Sequence, residues 1–435
     1  MSMDKMTKQI PPGYKKTEIG IIPEDWEVKR LGEIFSILKT ASFSKSDLSS
    51  KGHILYIHYG DIHTKWVHFL DLKKEDLPHI EHSKSRNYPL VKEGDLIMVD
   101  ASEDYEGIGK SVETKNVGNK KVISGLHTLL LRDSQGKFVN GFKGFVTHNR
   151  IVKKQIEILA TGLKVYGISK QNLKDVLIPI PPLPEQRAIA RVLSDIDHLI
   201  ESLDKLIEKK KLIKRGAMQL LLTGKKRLPG FQGEWVRKRL GEVFEIKRGA
   251  SPRPINRYTT RNGINWIKIS DVGNNEKYIT KTEIKITNDG AEKSVFVHPN
   301  DLLLSNSMSY GRPYISRITG CIHDGWLLLK PKVKLDTEFM YYILRTNEIQ
   351  KKFNLMAAGS GVNNLKIDSV SIVNVKIPPT PEEQGAIAKI LSDMDAEIEA
   401  LERKKEKYEM MKKGAMELLL TGKIRLKDHI NEVLT

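Results

Sequence analysis

One long helical segment is written twice in this chain. From Pro184 the sequence reads P-E-Q-R-A-I-A-R-V-L-S-D-I-D and later G-A-M-Q-L-L-L-T-G-K; from Pro381 it reads P-E-E-Q-G-A-I-A-K-I-L-S-D-M-D and later G-A-M-E-L-L-L-T-G-K. With Gln186 set against Gln384, the offset holds at 198 residues through Lys225 and Lys423. Large apolar residues step by four and three along each copy: Ile189, Leu193, Ile196, Ile200, Leu203 and Ile207, then Ile387, Leu391, Met394, Ile398 and Leu401. A repeat of about 3.5 residues is the seam of a coiled coil. Pro184 and Pro381 stand where a first turn accepts proline, with Glu beside them at the positive end of the helix dipole. Gly224 and Gly422 stand where a left-handed cap ends a helix. Each helix then runs for about 38 residues, or roughly 57 Å. Lys210, Lys214, Lys405 and Lys412, with Tyr408, interrupt the seam, and Ala217, Leu221, Ala415 and Leu419 restore it. A solitary helix with such a seam is unstable in water. The apolar half of each is therefore expected against the distal half of the other.

The remaining sequence echoes itself more faintly. Glu24 to Phe35 (E-D-W-E-V-K-R-L-G-E-I-F) answers to Gly233 to Phe244 (G-E-W-V-R-K-R-L-G-E-V-F). Ile57 to Ile62 answers to Ile267 to Val272, in runs that read as strands. Glu93 to Ile97 parallels Pro299 to Leu303, and the run from Ile123 parallels the run from Ile322. Helical patterns at Asn149 to Leu159 and Thr337 to Phe353 precede the last strand of each half. The expected order is an N-terminal arm (1–22), a globular domain (23–179), a helix (180–224), a linker (225–232), a second globular domain (233–376), a second helix (377–422) and a tail (423–435). Strands and helices mix without a βαβ alternation, so the class is α+β. A linker of about ten residues reaches at most ~35 Å, so the second helix begins near the end of the first. The layout is a pseudo-twofold tandem duplication, two globular domains separated by an antiparallel pair of long helices.

The net charge of +18 and pI of about 9.5 favour a polyanionic partner, nucleic acid first and an anionic membrane second. The one cysteine, Cys321, excludes an internal disulfide and a cysteine-based metal site, and fits a reducing cytoplasm. No apolar run reaches membrane-spanning length, and Met1 to Ile10 has no apolar leader core. Gly109-Lys110-Ser111 resembles the end of a phosphate loop, but Asp104 stands where the loop needs glycine. There is no dinucleotide fingerprint and no Asn-Pro-Pro-aromatic motif. His53, His58, His63 and His68 recur at a spacing that alternates strand faces, and read as polar strand and loop residues rather than metal ligands. Two Glu-x-Lys triplets, Glu113–Lys115 after Asp104 and Glu283–Lys285 after Asp271, admit a Mg²⁺-dependent nuclease as the alternative function. Asp195 with Asp197, and Asp393 with Asp395, point apart on a helix and read as solvated residues.

The segments between framework strands differ completely in the two halves and carry base-reading donors. In the first half they are Ser42, Lys45, His63, Lys65, Trp66, Ser102, Tyr105 and Lys110. In the second they are Arg248, Arg253, Asn256, Arg257, Tyr258, Arg261, Asn262, Asn306, Ser307, Tyr310 and Arg312. Arginine can read guanine and asparagine adenine through paired hydrogen bonds; other donors more often hold phosphates.

Three sets of residues together resemble the specificity subunits of type I restriction-modification systems. They are K-T-E-I-G-I-I-P-E-D-W-E-V (Lys16 to Val28), the pair I-P-P-L-P-E-Q-R-A-I-A and I-P-P-T-P-E-E-Q-G-A-I-A, and the paired G-A-M-x-L-L-L-T-G-K. The resemblance spans nearly the whole chain. It implies two target-recognition domains, each reading one half of a bipartite DNA site, and two conserved helices forming an antiparallel coiled-coil spacer. It implies a non-catalytic chain without a cofactor of its own. The expected partners are two methyltransferase subunits, which bind S-adenosylmethionine, and restriction subunits, which use ATP and Mg²⁺. The methyltransferase is expected on the conserved helices, with Gln186, Gln384, Gly216, Met218, Gly414 and Met416 as candidate contacts.

Helices that space two readers should act as a ruler. Four residues inserted after Ser202, and again after Ala400, add about 6 Å to each helix and disturb the heptad phase by only about half a residue. At about 3.4 Å per base pair, the gap between half-sites should lengthen by one or two base pairs with the half-sites themselves unaltered. Methylome sequencing of a host carrying the variant checks this, and an unchanged gap in an active variant rejects it.

Overall fold

The computed structural model describes residues 10–274, 276–307, 310–358 and 364–427. Residues 1–9 of the expected arm (1–22) and 428–435 of the expected tail (423–435) lie outside the described residues. The chain divides into two compact units, Met1–Leu203 with Lys404–Thr435, and Asp204–Arg403. The long helices Leu183–Leu221 and Pro381–Leu419 have 39 residues each, and each contributes one half to either unit. Among the described residues no helix is long and apolar enough to cross a membrane.

The first unit is built on a five-stranded mixed sheet in the order Phe35–Leu38, Thr128–Asp133, Leu96–Val99, Ser111–Lys115, Phe69–Asp71. The central Leu96–Val99 is buried at every position, as its unbroken apolar run requires. The outer pair, Ser111–Lys115 with Phe69–Asp71, is parallel; the rest are antiparallel. A smaller sheet joins Val122–Ser124, Ile54–Ile57 and His79–Ile80. The second unit repeats the main sheet strand for strand, as Phe244–Arg248, Trp326–Pro331, Leu302–Ser305, Pro313–Ser316, Tyr278–Ile279, again with a parallel outer pair. Its second sheet has five strands where the first unit has three. The shared framework and differing remainder match the fainter echoes in the sequence.

Three local readings change. The strands expected across Ile57 to Ile62 and Ile267 to Val272 stop at Ile57 and Ile267. His58 then caps the helix Tyr59–Thr64, its ring accepting from the Gly60 N–H at 3.1 Å. The expected arm contains a hairpin, Tyr14–Thr17 against Gly20–Pro23, with Ile22 fully buried and Gly20 at φ +113°. The helical pattern at Thr337 to Phe353 is two helices, Thr337–Leu344 and Asn347–Ala358.

In the first unit Ile189, Ala190 and Leu193 share a core with Leu419, Leu420, Trp26 and Leu31. In the second, Ile387, Ala388 and Leu391 share one with Leu221, Leu222, Trp235 and Leu240. Each globular domain thus packs against the start of its own helix and the end of the other. Glu185 meets Arg425 and Asp197 meets Lys412 in the first unit; Lys214 meets Asp395 and Arg227 meets Glu383 in the second. Within each unit the two helical segments therefore run antiparallel. Asp197 and Asp395, expected on solvated faces, are instead the partners of the lysines that break the seam. Lys412 and Lys214 keep only 12% and 20% of their side chains exposed, so the pairs fix register more than they add stability.

Glu185 is 1% exposed. It accepts from Trp26 Nε1 at 2.9 Å and from Arg425 Nε and Nη2 at 2.7 and 2.8 Å. Glu383, with no exposed surface, accepts from Arg227 Nε and Nη2 at 2.6 and 2.7 Å and from Trp235 Nε1 at 3.4 Å. Removing the cation from such a pair leaves a buried carboxylate uncompensated. Arg425→Ala should therefore lower the unfolding free energy of the first unit by about 3 kcal/mol, and Arg227→Ala should do the same to the second. Urea titration followed by tryptophan fluorescence reads both, and a loss below about 1 kcal/mol would show that the pairs behave like surface ion pairs.

Candidate nucleic-acid interface

In the first unit the strand Leu96–Val99 ends beside the start of Thr128–Asp133. From the chain leaving it, Ala101 to Asp104, Glu106, Gly107, Gly109 and Lys110 line a cavity of about 860 Å³ together with Tyr59, His63, Thr64, His127, His148 and Lys153. The loop is tied in place from below. Lys110 Nζ donates to the His63 carbonyl at 2.9 Å, and Lys153 Nζ to the Glu106 and Ile108 carbonyls at 2.8 and 2.6 Å. Burial pulls both ammonium groups below their ordinary pKa. Asp104 accepts from the Gly107 N–H at 2.6 Å, and His127 lies 3.3 Å from Asp100. The cavity thus presents fixed acceptors and imidazoles at its mouth, with its lysines turned to structural use.

The same end of the main sheet in the second unit is organised around His323 and Asp324. His323 Nδ1 accepts from the Gly325 N–H at 2.9 Å, which puts the ring proton on Nε2, facing Asp324 Oδ1 at 2.9 Å. Ser251 Oγ donates to the same carboxylate oxygen at 2.7 Å. The Asp324 carbonyl accepts from Arg248 Nε and Asn306 Nδ2, both at 3.0 Å. Burial pushes His323 below its ordinary value against the pull of Asp324, and the nearby charges of Arg253, Lys268 and Arg248 lower it further. Burial raises the Asp324 carboxyl, but Ser251, His323 and Arg248 together hold it below its usual value.

The sequence-predicted readers fall into two groups. His63, Ser102 and Lys110 converge on the first cavity. Tyr105 stands exposed near it, its ring 3.9 Å from that of Tyr166. Ser42 and Lys45 are exposed, and Lys65 is exposed but paired to Asp61 at 2.9 Å. In the second unit Arg248, Arg253, Asn256, Arg257, Arg261 and Asn262 are exposed, Ser307 and Tyr310 are half-buried, and Arg312 donates to the Asn274 carbonyl at 3.2 Å. Three others are corrected. Trp66 is a core residue among Ile57, Leu70 and Val112. Tyr258 is 7% exposed and receives a 2.5 Å hydrogen bond from Lys293. Asn306 is 1% exposed and braces the turn at Asp324. Aromatic and amide groups suit a reading loop and a core equally well, and sequence alone does not separate the two.

Gln186 and Gln384 are corrected as well. Gln186 is fully buried, accepting from the Val139 N–H at 3.0 Å and donating to the Lys137 and Pro181 carbonyls at 2.9 Å. Gln384, 2% exposed, accepts from the Asp336 N–H at 3.0 Å and donates to the Pro378 carbonyl. Both seat a helix on its own domain and have no surface for a partner. Met218 and Met416 are half-buried against their unit cores, while Gly216 and Gly414 are exposed with open space around them. Tyr59, His127, Lys153, Lys268, His323 and Asp324 were missed. For His127, His323 and Asp324 a signal existed: they fall in the turn before the echoed strands Thr128–Asp133 and Trp326–Pro331.

The nuclease alternative finds no site. Glu113 is fully buried and accepts from the Gly141 and Gly144 N–H groups at 2.6 and 2.9 Å. Glu283 points to solvent and pairs with Lys268. Among the described residues no three His, Cys, Asp or Glu side chains gather as metal ligands.

The model of the type I restriction modification DNA specificity domain matches the chain twice, at residues 23–211 and 232–409. Two Methanocaldococcus jannaschii proteins, the MjaX and MjaVIII type I restriction enzyme specificity subunits, are 30% and 26% identical to it. These alignments cover 95% and 94% of this chain and 97% and 95% of the relatives. The crystal structure of the type I restriction-modification S subunit from M. genitalium superposes with a TM-score of 0.54 at 16% identity, over 91% of this chain and 96% of that one. A chain from a structure concerned with assembly and conformational transition of the type I R-M system gives 0.58 at 18% identity, over 93% and 99%. These likenesses bear on the fold.

Where His148 lines the first cavity, its ring lies 4.3 Å from that of the buried His68. Burial lowers both; His148 and Lys412 press His68 down further, and His148 falls to about 4. Their folded pKa values lie below the unfolded value of about 6.5, so the unfolded chain takes up protons first on acidification. The stability they permit is present above that pH and is lost as pH falls toward 4, with roughly 3 kcal/mol at stake for His148. Urea midpoints of the first unit should drop across this window, and His148→Asn should flatten the drop.

Proposed function

The chain belongs to the type I restriction modification DNA specificity family, and we propose that its two units read the two different halves of one asymmetric, interrupted DNA site. The observation that carries this reading is the repetition of one five-stranded sheet with unlike chemistry at the same end. The first unit offers His63, Ser102 and His127 around a cavity, and the second offers Arg248, Arg253 and the His323–Asp324 pair. A shared framework with unshared readers favours unlike half-sites. The basic balance of the chain supplies the phosphate attraction that any duplex binder needs.

In this reading the chain performs no chemistry and holds no cofactor. It joins two methyltransferase subunits, which bring S-adenosylmethionine, and restriction subunits, which bring ATP and Mg²⁺, in the cytoplasm. The long helices set the gap between half-sites. Support for two copies of one partner comes from a repeated apolar stripe. Leu212, Ile213 and Leu220 are 51%, 47% and 44% exposed around Gly216; Met410, Met411 and Leu418 are 63%, 50% and 37% exposed around Gly414. The two sets stand at the same 198-residue offset, each within a third of a helix face. The stripes replace the buried glutamines as the proposed contacts.

Methylome sequencing of a host carrying the chain should return a split, non-palindromic motif. Arg253→Ala should weaken recognition of one half-site only, by about 1–3 kcal/mol if the guanidinium reads a base. Uniform weakening across all sequences, steepest at low salt, would make it a phosphate contact. A single continuous palindrome in the methylome would overturn the two-reader assignment.

A further inference from the structure

Leu163 is 98% exposed, the most exposed of the chain's described large apolar residues. It stands at the tip of a tight loop rather than on a frayed segment. Thr161 and Gly167 exchange backbone hydrogen bonds of 2.9 and 2.8 Å across the loop's base. Tyr166–Gly167 then pairs with Ala101–Ser102, which line the cavity of the first unit. Gly162 has φ +140°, and a Cβ there would collide with the Val165 carbonyl, so the turn that projects Leu163 depends on glycine. Val165, 56% exposed, lines the cavity mouth, and Lys164 lies between it and Leu163. The Tyr105 ring lies 3.9 Å from that of Tyr166, tilted by 37°, and leaves 49% of its own surface in solvent.

An apolar tip on a fixed loop, a flanking cation, a free aromatic face and a cavity are the parts needed to open a base step. Proteins that kink a duplex insert an apolar side chain between base pairs, and aromatic rings receive the faces thus exposed. The geometry points to Leu163 as a wedge that enters the duplex within the first unit's half-site and unstacks one step, with Tyr105 stacking on the exposed base. This inference rests on the DNA-reading role proposed above. Glu103, Asp104 and Glu106 around the same cavity repel phosphate, which leaves a base as the part of DNA that fits there. In the second half the corresponding stretch, Gly359-Ser360-Gly361, carries no large side chain in sequence and lies outside the described residues. Unstacking is therefore expected at one half-site alone.

The test uses the full chain assembled with its methyltransferase subunits, on duplexes bearing its methylation motif. A single 2-aminopurine is moved through both half-sites. Its fluorescence should rise at one step of the half-site that Arg253→Ala leaves unaffected. The rise should be lost in Leu163→Ala and kept in Leu163→Met, with all three proteins still binding the methyltransferase subunits. A wild-type complex that methylates its motif without any such rise overturns the wedge while leaving base reading intact. So does a rise that persists in Leu163→Ala, or a Leu163→Ala chain that no longer binds methyltransferase, which would make the tip a protein contact. A wild-type complex with no sequence preference removes the DNA-reading premise, and the wedge with it.

Discussion

Each long helix begins with a buried carboxylate, and the rest of the fold is arranged to satisfy it. Glu185 is met by an indole N–H from the first domain and by a guanidinium that follows the second helix; Glu383 is met the same way with the helices exchanged. A buried anion without such partners costs several kcal/mol, so the end of one helix must reach the start of the other. The Trp ring beside each carboxylate comes from the domain's opening segment, which pins the domain to the same point. Gln186 and Gln384, one residue on, hold the loops that precede Phe142 and Thr337. Helix start, helix end and domain edge are therefore tied by a handful of directional bonds rather than by apolar burial alone.

Much of this was legible in the sequence, because the chain states its framework twice. The seam residues at Ile189, Leu193, Ile387 and Leu391 are buried as the heptad spacing requires, and Asn149 caps the helix Arg150–Leu159 as its pattern suggests. The arginines at 227 and 425 escaped notice although the 198-residue offset continues through them. Following the repeat two residues beyond Lys225 would have found them. Asp197 and Asp395 were misjudged because spacing along one helix says nothing about a second helix laid against it. Trp66, Tyr258 and Asn306 were misjudged because loop position does not fix burial. His323 and Asp324 gain their significance only when the turn before a strand brings them to Ser251 and Arg248, far away in sequence.

The two units divide their residues by physical task. Strands such as Leu96–Val99 and Leu302–Ser305 are buried at every position, so only side chains that fill the same space are tolerated there. The chain beyond the first of those strands, Asp100 to Lys110, keeps most of its residues out of the core, and the sequence that follows Leu302–Ser305 in the other unit differs from it in chemistry. Lys110 and Lys153 show how such a segment stays ordered: their ammonium groups hold backbone carbonyls of the loop and its neighbour. Order at the loop allows a side chain at its rim to meet a ligand without first paying for its own placement.

The make-up of the first unit also bears on how the protein is synthesised. That unit needs residues beyond Lys404, whereas the second is complete within 204–403. A ribosome moving at about 5–20 residues per second needs roughly 10–40 s to make the intervening segment. Throughout that interval Glu185 has no guanidinium, and the face of Ile189 and Leu193 lacks Leu419 and Leu420 to cover it. The half encoded first is thus the half that closes last. A nascent chain stalled once Arg403 has left the ribosome would hold a finished second domain while the first is still open to chaperones and proteases.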